Sequence, residues 1–141
     1  MMSRTRDAAT LRTLHFGMGI AGVLIFLFTG QVMAHHEPPM EALTESGRLL
    51  YRSRHIYILG SALVNLMVGL YLLPHPARWR TRVQAFGSIL LLASPVALTM
   101  AFFREPQTGF RQEMWWSSAG LYLLFGGALS HLLSGRSARA R

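Results

Sequence analysis

Charge disappears from this chain in four long intervals. Leu14–Ala34 reads LHFGMGIAGVLIFLFTGQVMA, Ile56–Leu73 reads IYILGSALVNLMVGLYLL, and Val83–Phe103 and Met114–Leu133 follow the same pattern. At about 1.5 Å rise per residue, a helix of such length crosses a hydrocarbon core of roughly 30 Å. The connections are short, which makes consecutive helices antiparallel neighbours. The pattern therefore predicts an all-α fold: a four-transmembrane-helix up-down-up-down bundle, one integral membrane domain over residues 1–141. In that arrangement the first and fourth spans touch.

Prolines and polar clusters punctuate the runs. Pro38 and Pro39 lack the donor amide and clash with the preceding turn, so the first helix ends before them. Beyond them Glu41, Glu45, Arg48, Arg52 and His55 recur at helical spacing, which predicts a short surface helix with paired charges leading into the second span. Asn65 is the one strongly polar member of that span, and an amide in lipid usually bonds a neighbouring helix. Pro74-His75-Pro76 stops the run. Pro95 predicts a kink in the third span, its freed carbonyl met by Ser94 or Thr99. Arg104-Glu105-Pro106 then opens a turn through Gly109. Trp115-Trp116 starts the fourth span, as expected for an interfacial aromatic belt. A rival reading makes the first run a signal peptide cleaved after Ala34, but its apolar stretch exceeds the usual signal core of roughly 7–15 residues.

Composition sharpens the class. Only 14% of the 141 residues are charged and 51% are hydrophobic, against about 25% charged in soluble domains. There is no cysteine, which removes disulfides, thiolate metal sites and cysteine nucleophiles. The net charge of +8 would suggest nucleic acid in a soluble protein, but these arginines flank apolar runs and act as topology signals. Arg4, Arg6, Arg12, Arg78, Arg80, Arg82, Arg136, Arg139 and Arg141 fall in the N-terminal tail, the second loop and the C-terminus, accompanied by Asp7 alone. All five glutamates lie in the other two loops. Positive charge stays inside, so both termini are expected in the cytoplasm and His35–Arg54 outside, in a multi-pass protein of the bacterial inner membrane.

Candidate chemistry is sparse. No acidic or basic side chain lies within the runs, which argues against a pump or coupled transporter. No Ser, His and acid set shares a depth with a recognisable elbow, so no catalytic activity of its own is expected. His15 and His131 each sit about one turn inside the cytoplasmic border. Helical spacing puts Gly19 and Gly22 beside His15, and Gly127, Leu124 and Gly120 beside His131. Two imidazoles at equal depth on adjacent helices, each beside side-chain-free surface, suit the axial ligation of a haem iron. The plainer alternative is that such histidines reach headgroups while the glycines serve close helix packing.

Leu14-His15-Phe16 with Gly30 at the far end of the span resembles the first helix of the bacterial cytochrome b561 family. Arg54-His55 with Gly60 is similar to that family's second helix. The resemblance implies a four-helix membrane cytochrome with b haems passing electrons. It makes His15 and His131 the ligands of an inner haem b and His55 one ligand of an outer haem. The fourth-helix partner of His55 falls near Ser117 or Ser118, neither of which ligates haem.

Outside, Met33, His35, His36 and Met40 surround Glu37 within eight positions. Imidazole and thioether suit copper, so an external copper site is a further expectation. The remaining reading needs no cofactor: an accessory subunit of an inner-membrane complex, associating with other membrane subunits or with itself. Gly126, Ser130 and Ser134 form a small-residue stripe on the fourth span that permits close approach within the bundle or to a partner.

Overall fold

A computed structural model describes residues 2–73, 77–108 and 114–135. The Pro74–Pro76 stop, the turn at Gly109 and the C-terminal arginines lie outside the described residues. Four helices account for the architecture: α1 (Met2–Ala34), α2 (Glu45–Tyr71), α3 (Arg78–Thr108) and α4 (Trp115–Gly135), with a single 3-10 turn at Met40–Ala42. No strand occurs among the described residues. The fold is all-α.

The first and third apolar runs lie within longer helices, whereas α2 stops at Tyr71, short of Leu72 and Leu73, and α4 starts one residue after Met114. The prolines end α1 as expected, and Thr44 starts α2 by accepting the Gly47 amide on its hydroxyl, leaving fewer free donors in the first turn. From there α2 continues without a break through the segment expected to be a separate surface helix. The expected pairing along that face does not form. Glu41 sits in the 3-10 turn, where its backbone carbonyl accepts Arg48 Nη1 at 3.4 Å, and His55 turns inward to α1. The third helix also outruns its expected end, carrying Arg104, Glu105 and Pro106 within it.

Packing is organised as two close hairpins, α1 with α2 and α3 with α4, joined through the α2–α3 contact. Glycine permits the approach. A Cβ on Gly22 would lie 2.7 Å from Ala62 Cβ, and one on Gly19 would lie 2.5 Å from Leu66 Cγ. In the second hairpin Gly127 meets Leu91 and the Gly87 carbonyl, while Gly120 meets Leu98. The glycine faces beside the two histidines are therefore filled by neighbouring helices, contrary to the expectation of free surface there. The serine stripe of α4 is also spent internally. Ser130 packs on Gly87, Ser134 is fully buried, and Gly126 faces Leu90. The α1–α4 pair makes no extensive contact, less than either diagonal. The expected neighbour packing of first and last helices is thus reduced to a loosely closed seam.

The interior is unusually polar and the exterior apolar. His15, Thr29, Arg54, Ser61, Asn65, Ser88, Ser94, Glu105 and Ser134 are buried, while Leu24, Phe28, Met67, Ile89, Phe125 and Leu129 are exposed. Two helical segments, Ala9–Ala34 and Arg78–Pro106, are long and apolar enough to cross a membrane. Neither α2 nor α4 carries a stretch that meets the same measure, although α4 holds no charged side chain.

Candidate functional site: a buried histidine pair and its amide partner

Pro95 is where the site begins. Lacking an N–H, it leaves the Leu91 carbonyl without its i−4 partner, and an unpaired buried carbonyl is costly. The sequence suggested Ser94 or Thr99 as the replacement donor. Ser94 instead donates to Gly120 O at 3.0 Å, and Thr99 to Pro95 O at 2.7 Å. The donor is Asn65 of α2, whose Nδ2 lies 2.9 Å from Leu91 O and 2.9 Å from Ser61 O. Asn65 does bond a neighbouring helix, as expected.

The other end of that amide faces α1. His15 Nδ1 donates to Asn65 Oδ1 at 2.7 Å, and both residues are fully buried. Its second ring nitrogen, Nε2, is the single buried side-chain nitrogen or oxygen among the described residues with no hydrogen-bond partner. The His131 ring, from α4, stands 6.1 Å away centre to centre and nearly perpendicular, at 83°. The pairing of His15 with His131 read from depth and helix order is thus present. His131 Nε2 is hydrogen-bonded to Ser88 Oγ at 3.2 Å, a partner on α3 with no prior sequence signal beyond its helical position.

These residues fit an imidazole-ligated metal by two tests. A bare, buried Nε2 with Nδ1 anchored to an amide oxygen is the arrangement in which metal-ligating histidines are held. Two rings facing one metal through bonds of about 2 Å would stand roughly 6 Å apart, close to the 6.1 Å found here, with His131 Nε2 engaged by Ser88 Oγ instead. The glycine slots provide no cradle for a porphyrin, since α2 and α3 fill them. The α1–α4 seam, where these two rings meet, is the side of the bundle left loosely closed.

The opposite end of the bundle is built differently. Thr29 donates its hydroxyl hydrogen to Phe26 O at 3.0 Å, so its oxygen accepts from His55 Nδ1 at 2.9 Å. The His55 ring stacks on Phe26 with centres 4.0 Å apart. No second ligand faces it from α4. Ser117 Oγ accepts from Arg54 Nη2 at 3.1 Å, and its amide donates to Glu105 Oε1 at 2.8 Å. Arg54 and Glu105 form a buried ion pair at 2.8 Å, which joins α2, α3 and the start of α4. Phe102 fills the space between Tyr51 and His55. This end is a packed plug of ions and rings.

The Met–His cluster that follows α1 is likewise engaged. His36 Nδ1 donates to Pro38 O at 2.8 Å, leaving Nε2 to accept the Tyr51 hydroxyl at 3.0 Å. His35 Nδ1 donates to Gln31 O at 3.0 Å, and Met33 and Met40 pack against the apolar core. Burial pushes the Tyr51 phenol above its ordinary pKa. Met33, His35, His36 and Met40 line one open pocket together with Glu37, while among the described residues no three His, Asp or Glu side chains converge as a metal site. Tyr51 was missed in the sequence, where its only signal was a place one turn before His55.

No protein-family model, curated protein or solved structure matches the chain.

Proposed function

We propose that the protein is a four-span inner-membrane protein, with both termini cytoplasmic, that binds a b-type haem between His15 and His131 and serves as an electron-carrying subunit. The observation that carries this reading is the unpartnered Nε2 of His15, fully buried beside a second imidazole. An unsatisfied buried polar atom costs about 1–3 kcal/mol, and a chain retains one where a ligand satisfies it.

The four-span topology is supported by the apolar exterior of every helix. On α2, Leu63, Met67 and Leu70 are exposed, and on α4, Tyr122, Phe125, Leu129 and Leu132. Trp79 is exposed near one end of the bundle and Trp115 and Trp116 near the other, as interfacial belts require. The exposed surface is suited to lipid and to other membrane subunits; nucleic acid has no place in this reading.

A haem held there would supply a one-electron iron couple. The chain's own part is to offer neutral nitrogen donors, keep them oriented and exclude water. His15 already presents a bare nitrogen. His131 would hold the group through the nitrogen that now meets Ser88, and the Ser88 hydroxyl could turn to a helix carbonyl, as Ser61 does at Ile58 O. The accessory-subunit reading is retained within this one, whereas the small-residue stripe no longer supplies it with a partner face.

The test is the absorption spectrum of detergent-purified protein from haem-replete cells. A Soret band with the sharp reduced bands of a low-spin b-type haem is expected, abolished or shifted in H15A and H131A. A colourless preparation overturns the assignment.

A further inference from the structure

The amide of Asn65 has a fixed orientation, because both of its donor directions are spoken for. Nδ2 donates to Ser61 O within α2 and to Leu91 O on α3, each at 2.9 Å. Turning the amide over would set Oδ1 against two carbonyl oxygens and leave Nδ2 facing His15. The Leu91 carbonyl is available only because Pro95 has no N–H to offer it. With the amide locked, only an acceptor faces His15 Nδ1 at 2.7 Å, so the neutral ring must carry its proton there.

We infer that Asn65, locked by the carbonyl that Pro95 frees, is a positioning residue that sets the tautomer of His15 and keeps its Nε2 lone pair bare. A proline on α3 thereby governs the protonation of a ring on α1 through one side chain of α2. The significance for electron transfer rests on the haem reading above, but the tautomer does not. Asn65 is neutral, so it orders the ring without adding a charge.

Nitrogen-15 NMR of the full chain, histidine-labelled, in detergent and prepared from haem-deficient cells, tests this directly. The His15 signals, assigned by their loss in H15Q, are expected to show a protonated Nδ1 and an unprotonated Nε2. In N65D, which keeps an acceptor oxygen, the same tautomer is expected to persist. In N65A both tautomers should appear. A wild-type ring protonated at Nε2, or an N65A ring unchanged from wild type, overturns the inference. Should N65A fail to fold, P95A carries the test, since a restored helical N–H competes for Leu91 O and loosens the amide. A detectable Nε2-protonated fraction is then expected, and none overturns the inference. A fixed tautomer in a chain that never binds haem would uphold Asn65 and overturn the haem reading. Haem binding with a mobile tautomer would do the reverse.

Discussion

Asn65 donates to the Leu91 carbonyl at 2.9 Å, closing from α2 the gap that Pro95 opens in α3. Removing the amide leaves that carbonyl and His15 Nδ1 both unpaired in a buried site. Each such loss costs about 1–3 kcal/mol. N65A is therefore expected to lower unfolding stability in detergent by several kcal/mol. In N65A/P95A the new alanine N–H reclaims Leu91 O, so the second substitution should recover about 1 kcal/mol or more, a coupling within the usual range for contacting residues. Additive single effects would show that the two residues do not share this carbonyl.

The Arg54–Glu105 pair lies almost wholly out of solvent, with side-chain exposures of 6% and 5%. Breaking a buried pair by removing one partner costs about 3–5 kcal/mol, because the survivor is left charged and uncompensated. E105A should destabilise by that amount in thermal or chemical unfolding. R54L/E105L, which removes both charges, should be considerably less damaging. Equal losses in the two variants would mean that the ion pair contributes nothing beyond its neighbours' packing.

Glycine contacts give a prediction of sign. A methyl at Gly22 would meet Ala62 Cβ at 2.7 Å, whereas one at Gly17 meets nothing within 4 Å. Overpacking of this kind costs about 1–3 kcal/mol, while Ala in an open helical position gains about 0.5–1 kcal/mol over Gly. G22A should destabilise, G17A should not, and A62G should rescue G22A. The comparison is one of unfolding midpoints among the four proteins.

The absence of cysteine makes topology simple to read. Single cysteines placed at Glu41 and at Arg82, both exposed, would report opposite sides of the membrane under the proposed topology. A membrane-impermeant maleimide applied to intact spheroplasts should label E41C and leave R82C unlabelled until the membrane is opened. Labelling of both from outside would contradict the proposed orientation.

The sequence made the helices visible because apolar length is a local property, and it singled out His15 and His131, whose rings lie 6.1 Å apart, by their places near the arginine-flanked ends of two runs. What it could not carry was the identity of partners across the bundle. Pro95 announced a free carbonyl, but the donor that meets it lies 26 residues away on α2. Glu105 read as part of a turn, since Pro106 follows it; pairing with Arg54, 51 residues distant, holds it in α3 instead. The glycines beside the histidines read as open surface for a macrocycle. Periodicity gives a face, and only packing reveals that Leu66, Ala62 and Leu91 occupy it. Asn65 was legible as a polar link, though not as the residue that orients His15.

The most direct measurement is the haem content of the purified chain and of its H15A and H131A variants, by pyridine haemochrome absorbance per mole of protein. One haem b per chain in the wild type, lost in either variant, is the expected result. No haem in a haem-replete preparation, or haem that survives the loss of both histidines, would contradict the claim that this buried pair is the site.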